Sequence, residues 1–270
     1  MKSSTFSPFR LILLLMGGIV MLFILAPLIS MGLNSHASAL IETAKEKEVY
    51  ESIWLTLWTS VLVTFLFSIV AVPFSYLLAR TNFRFKKLFC VLIDIPVMIP
   101  HSAAGIAILG IVARGSPVGS FCSNYLGLNF VDHPAGIMIA MAFISLPYLI
   151  NAAKDGFEAV PVQLEKAAYT LGVSPAKVFF KISLPLAWRA ILSGFVMMWG
   201  RGLSEFGAVV IIAYHPMVTS VLIYDRFNTF GLKYAQPVSV LFIIICMMVF
   251  ILFRMLSGKV KSRSEYSRYG

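Results

Sequence analysis

Few side chains in this 270-residue chain could do chemistry, and most of them lie far apart. Cys90, Cys122 and Cys246 form no Cys-x-x-Cys pair, and His36, His101, His133 and His215 are equally scattered. Metal and redox sites need such ligands at short, regular spacing, so no metal site, nucleophile or general base is assigned. No Gly-x-x-x-x-Gly-Lys-Ser/Thr loop is present to cradle a nucleotide phosphate, and the chain is read as neither an enzyme nor a cofactor binder. The notable polar residues stand in apolar surroundings. Arg201 and Glu205 are four apart, which on a helix puts them on one face within pairing distance. Charges inside a membrane are costly and face a bundle interior, a partner or a watery path. Two readings are open: the pair neutralises itself and fixes packing, or Arg201 gives a passing anion a favourable potential. The spacing already accounts for both charges, which favours packing.

The run Asp94-Ile95-Pro96-Val97-Met98-Ile99-Pro100-His101 is the second candidate. Pro96 and Pro100 each remove a backbone donor, predicting two breaks in a helix, and such breaks inside a membrane sit where backbone is buried in protein or lines a cavity. A hinge, a path-lining element and an inert kink all remain open. Asp94 lies seven residues past Lys87, close to a membrane interface, and is the weaker site residue. Gly194, Gly200, Gly202 and Gly207 allow helices to approach closely, so Gly207 joins the candidates as a pathway or packing residue.

The elements that hold these residues are set by hydropathy. The chain is 59% hydrophobic and 13% charged, with a mean hydropathy of +0.87, where a soluble domain carries roughly 25% charged residues. An all-α integral membrane protein is expected. Roughly 20 apolar residues span the hydrocarbon as a helix, and six stretches qualify: Leu11 to Leu33, Ser52 to Ala79, Leu88 to Ala113, Pro134 to Ala153, Ala190 to Ala213 and Ala235 to Phe253. The first is too long for the core of a signal peptide and is read as a retained span. The whole chain, 1–270, is taken as one transmembrane domain with a long loop over 154–189.

Lys and Arg accumulate on the cytoplasmic side of membrane proteins. The N-terminus, the second-to-third loop, the fourth-to-fifth loop and the tail hold sixteen of the 22; the remaining loops hold five, and Arg201 is the last. Both termini and the 154–189 loop are therefore expected in the cytoplasm. The net charge of +10 is explained by anionic lipid headgroups at that surface and calls for no nucleic acid. The polar tail from Lys259 to Gly270 is expected to be poorly ordered or to lie on headgroups.

Within the loop, Val162 to Leu171 has good helix formers and can end at Gly172, which tolerates a left-handed cap. Ser174-Pro175 can restart a helix, serine as cap and proline in the first turn. Leu164, Ala168 and Leu171 are spaced by four and three, as on one helix face, and small Ala167 and Ala168 let a partner surface come close. Such a helix can sit in a groove of another protein.

Ala167, Ala168, Gly172, Ile182, Leu184 and Pro185 fit the spacing of the Glu-Ala-Ala loop of ABC importer permeases, which this segment resembles. One position departs: Lys166 stands where the family has Glu, and Glu165 precedes it. Together with the Asp94-to-His101 run, Arg201-Gly202-Leu203-Ser204-Glu205-Phe206-Gly207-Ala208 and Ala213-Tyr214-His215-Pro216-Met217, the chain is similar to the molybdate/tungstate permeases of that group. The resemblance implies a six-helix bundle of the type I importer kind, paired with a second copy. It also implies two ABC ATPase subunits, which carry ATP and magnesium, and an extracytoplasmic oxyanion-binding protein. Leu164, Glu165, Lys166, Ala167, Ala168, Leu171, Gly172, Ile182, Leu184 and Pro185 would then couple the permease to its ATPase. A sulfate or thiosulfate permease is the near alternative, and an ion-coupled secondary transporter the distant one.

Overall fold

The computed structural model describes residues 8–258; Lys2 and the basic tail from Lys259 to Gly270 lie outside them. Every regular element among the described residues is a helix. α1 (Pro8–Leu33) is followed by the short α2 (Ala37–Lys45) and the 34-residue α3 (Lys47–Arg80). α4 (Lys86–Met98) and α5 (His101–Val112) come next, then α6 (Pro117–Leu126) and α7 (Pro134–Glu158). The loop expected over 154–189 holds α8 (Val162–Thr170), the one-turn α9 (Pro175–Val178) and a π turn, Phe179–Ser183, that runs into α10 (Leu184–Leu203). α11 (Val209–Ile212), α12 (Thr219–Phe230) and α13 (Leu232–Gly258) complete the chain.

Five helical runs are long and apolar enough to cross a membrane, and α4 with α5 makes a sixth if the bent pair is one span. That pair corrects the expected third stretch, because its halves meet at 108° rather than forming one rod. The break is single. Pro96 lies inside α4, whereas Pro100 forces Ile99 into an extended conformation, φ −79° and ψ 150°, as the residue before a proline prefers. The fifth stretch also differs. Its helical run begins at Pro175, within the expected loop, and ends at Leu203, so 204–208 are not helical. Gly200 and Gly202 weaken the last turn, since glycine is a poor helix former.

The chain divides into two compact units. One holds residues 8–50 with Ile223–Met247. In it Gln236 Nε2 donates to the Met31 carbonyl at 2.9 Å, tying α13 to α1, and nearly buried Arg226 on α12 pairs with Glu46 at 2.5 Å and Glu48 at 3.0 Å. Burial works against the Arg226 charge, but hydrogen bonds from it to both glutamates and their negative charge outweigh that and raise its pKa.

The other unit holds Glu51–Leu222 with residues 248–258. Its core has two apolar clusters. One gathers Ala104, Ile108, Ile137, Met141 and Ile144 around Val209 and Ile212; the other gathers Leu149, Ala153, Phe157, Ala187, Ile191 and Met198 along α7 and α10. Glycine sets how closely α7 and α10 approach: a Cβ on Gly156 would meet Ala190 Cβ at 2.5 Å, and one on Gly194 would meet Ala152 Cβ at 2.8 Å. Gly156→Val and Gly194→Val should each destabilise the subunit by about 1–3 kcal/mol through overpacking, lowering its melting temperature in detergent. Gly18→Val, where nothing lies within 4 Å of the added carbon, should leave the melting temperature unchanged.

Candidate functional site

α8 ends in a Schellman arrangement. Gly172, at φ 77°, donates to the Tyr169 carbonyl at 3.0 Å and Val173 donates to Ala168 at 3.1 Å. A side chain at Gly172 would be strained in this left-handed conformation. Ser174 takes the N-cap position ahead of Pro175 with extended backbone, but its hydroxyl makes no cap bond. The π turn follows, closed by Leu184 N–H on the Phe179 carbonyl. Pro185 supplies a reason for the widening, since it has no N–H and its ring crowds the carbonyl four residues back. Ile182 and Leu184 are half-buried there, while Pro185 is exposed.

The faces of α8 differ from the expected ones. Leu164, Lys166, Ala167 and Leu171 are exposed, Leu171 at 83%, whereas Ala168 and Glu165 are buried at 7% and 3%. Ala168 therefore does not share an outer face with the two leucines, and the Glu165 carboxylate does not lie on that face either. Glu165 instead turns inward and gathers donors from two other elements. Arg80 Nε lies 2.9 and 3.0 Å from its two oxygens, Arg80 Nη2 lies 2.8 Å from Oε1, Ser183 Oγ donates to Oε1 at 2.6 Å, and Tyr76 OH reaches Oε2 at 3.3 Å. Arg80 Nη2 also donates to the Val160 carbonyl at 3.0 Å, and Tyr76 packs edge-on against Phe157 and Phe179. Burial pushes the Glu165 carboxyl upward, but hydrogen bonds from Arg80, Ser183 and Tyr76 and the Arg80 charge hold its pKa below 4.5. Arg80 was visible in the sequence only as a charge favouring one orientation, and nothing there paired Tyr76 or Ser183 with it.

The intramembrane candidates meet at the two helix breaks. Arg201 Nη2 lies 2.8 Å from Glu205 Oε2 and 2.8 Å from both ring nitrogens of His101, whose Nδ1 is 3.2 Å from the same carboxylate oxygen. Arg201 and Glu205 do pair, although Glu205 lies beyond the end of α10, so a continuous helix does not bring them together. Glu205 is fully buried. Its Oε1 accepts the Ala208 N–H at 2.9 Å, capping the non-helical turn, while Oε2 is held at ion-pair distance without an aligned hydrogen bond. A Cβ on Gly207 would lie 2.8 Å from His101 Cβ, and one on Gly105 would lie 2.9 Å from Ala208 Cα. Both glycines are thus needed for the start of α5 to pack on the 204–208 turn. Pro100 shapes that start, and Pro96 lies one turn before it within α4. Asp94 is elsewhere: its Oδ1 accepts from Asn151 Nδ2 at 2.6 Å, linking α4 to α7. The Ala213-to-Met217 stretch runs between α11 and α12, with Ala213 buried and the Tyr214 and His215 rings 5.2 Å apart.

Two outcomes are expected from the buried carboxylates. Arg201→Met or Glu205→Met strands one charge and should destabilise the subunit by about 3–5 kcal/mol, while Arg201→Met/Glu205→Met should be more stable in detergent than either single variant yet short of the native chain, because the Ala208 N–H loses its acceptor. For Glu165, a folded pKa held below the unfolded one adds stability above that unfolded value and loses it as pH falls through the folded pKa. The melting-temperature advantage of the native chain over Glu165→Gln should therefore shrink on acidification from about pH 6 to about pH 3, and an unchanging gap would contradict the depressed carboxyl.

Comparison with known proteins agrees with this architecture. Residues 71–263 match the family described as the binding-protein-dependent transport system inner membrane component. A molybdate/tungstate transport system permease protein of Pyrococcus abyssi is 40% identical over 83% of this chain and 84% of its own length. Its counterpart in Methanocaldococcus jannaschii is 38% identical over 90% of this chain and 94% of its own. Among solved structures, a bacterial ABC transporter involved in alginate import superposes with a TM-score of 0.73 at 14% identity, covering 94% of this chain and 96% of that one, a likeness of fold. With a family match across α7, the α8 loop and α10, and relatives this similar over most of its length, the chain belongs to the membrane permeases of binding-protein-dependent ABC transport systems.

Proposed function

We propose that this chain is the membrane-spanning subunit of an ATP-driven importer for molybdate and tungstate. It acts as a pair of identical copies. Each copy sits on one ATPase subunit, which binds the ATP and magnesium, and an extracytoplasmic binding protein hands over the oxyanion. Both termini and the α8 loop face the cytoplasm, where ATP is available. The observation that carries this reading is the outer side of α8 and its C-cap, where Leu164 is 46% and Leu171 83% exposed. Exposed leucines on a short helix closed by a Schellman turn form a surface suited to a groove on a partner, and they belong to the segment that resembles the coupling loop of importer permeases. The substrate class rests on the similarity to molybdate/tungstate permeases.

ATP binding closes the two motor subunits on each other, and the docked α8 helices move with them. That motion opens the membrane path alternately to either side. Molybdate and tungstate are tetrahedral dianions of nearly equal size and sulfate is smaller, so a preformed cavity on the binding protein can sort them by hydrogen-bond geometry. The permease admits the ion it is handed. Where the start of α5 packs on the 204–208 turn after α10, Arg201 brings a fixed positive charge to the intramembrane cluster, and Glu205 holds it.

The test is uptake by vesicles containing the chain and its ATPase, supplied with loaded binding protein. Molybdate and tungstate uptake should require ATP and withstand excess sulfate; uptake of sulfate alone, or uptake without ATP, would overturn the reading. Leu171→Glu places a charge on the outer face and should leave the subunit's melting temperature unchanged while cutting uptake about tenfold, the effect of losing about 1.4 kcal/mol of coupling.

A further inference from the structure

We propose that Glu165 is a positioning residue that pins the docking helix α8 to two membrane helices at once, so that a pull on α8 moves α3 and α10 together. The inference rests on the reading of the chain as an importer subunit and deepens it. α8 is otherwise joined to its neighbours through short non-helical links, 159–161 before it and 171–174 after it. Links of this kind absorb displacement by changing their backbone angles. A helix held only by them could follow its partner while the membrane helices stayed still.

Glu165 removes that freedom. Its carboxylate takes Arg80 and Tyr76 from the last two turns of α3 and Ser183 from the π turn that opens α10, and Arg80 also grips the Val160 carbonyl just before α8. Three elements therefore meet on one side chain that is 3% exposed. The Arg80 contact is charge-assisted and uses two guanidinium nitrogens, which fixes orientation as well as distance. Ser183 is the last residue of the π turn, and single wide turns of this kind recur at functional positions, where they shift the register of the helix beyond them. Here the turn delivers the hydroxyl to the carboxylate at 2.6 Å.

The far end of this lever is the intramembrane cluster. α10 runs 20 residues from Leu184 to Leu203, about 30 Å at the helical rise, and it carries Arg201 in its last turn. A displacement applied at Ser183 reaches Arg201, Glu205 and His101 through one helix. α10 is packed on α7 through Gly156 and Gly194, which leaves little room for the motion to dissipate.

The experiment uses the full complex of permease and ATPase in vesicles with loaded binding protein, and reads molybdate taken up per ATP hydrolysed. Co-purified ATPase measures assembly. Glu165→Gln keeps the shape but not the charge, and Glu165→Met/Arg80→Met removes both charges without stranding either. The pin requires that both variants assemble and that uptake per ATP falls about tenfold in each. A carboxylate needed only to fold the loop would instead let the apolar pair regain normal uptake per ATP, and that result overturns the pin. So does failure of both variants to assemble. Absence of ATP-driven uptake by the native complex would overturn the importer reading and the pin with it, whereas native uptake with an unchanged ratio in both variants overturns the pin alone.

Discussion

A carboxylate does not stay in an apolar interior unless donors surround it, and both candidate sites of this protein are organised by that constraint. Glu165 and Glu205 are withdrawn from the surface, at 3% and 0% exposure. Each brings together segments that are far apart in sequence: Glu165 gathers Arg80 and Ser183, and Glu205 gathers His101, Arg201 and Ala208. The environments differ. Glu165 has several aligned donors at the edge of the helical bundle, whereas Glu205 holds an arginine by charge on one oxygen and caps a turn with the other. The first arrangement fixes a joint firmly, and the second leaves one oxygen with a contact that can be exchanged.

Helix breaks would be expensive in hydrocarbon if their backbone groups were left facing lipid. Here the two breaks cover one another. The bend at Ile99 and Pro100 lets α5 start against the 204–208 turn, and the missing Cβ atoms of Gly105 and Gly207 allow that approach. Glu205 then satisfies the Ala208 N–H from within the turn. Neither break stands without the other's surface, which explains why the residues of both lie in one cluster.

Much of this could be read from the sequence, and the parts that could not have physical reasons. Long apolar runs marked α1, α3, α7 and α13 because lipid demands a continuous helix. Gly172 marked the end of α8 because only glycine enters the left-handed region freely. The orientation of α8 was not legible. Spacing placed Leu164, Ala168 and Leu171 together, but spacing alone does not say which side faces the bundle. Burying leucine and exposing charge is the usual outcome, and α8 does the reverse with Leu171 and Glu165. The deciding fact is the position of Arg80, 85 residues from Glu165, which only the folded chain supplies. The end of α10 was hidden for a related reason. Four apolar residues, Val209 to Ile212, continue the hydropathy past the break, so composition concealed a turn that the Glu205 side chain stabilises.

The inverted α8 has a consequence for how the protein holds itself in the absence of a partner. Exposed leucine loses the stabilisation that burial would give, and buried carboxylate loses hydration, so this helix is unfavourable on both faces unless something compensates each. Arg80, Tyr76 and Ser183 compensate the inner face within the chain. Among the described residues, nothing covers the outer face at Leu171. Within the chain the fold compensates the inner face alone, and the division between the two faces falls across a helix of nine residues. Under the proposed importer reading, a partner's contact would act on the leucines while the membrane helices act on the carboxylate, across a short helix closed at its C-terminal end by the turn at Gly172.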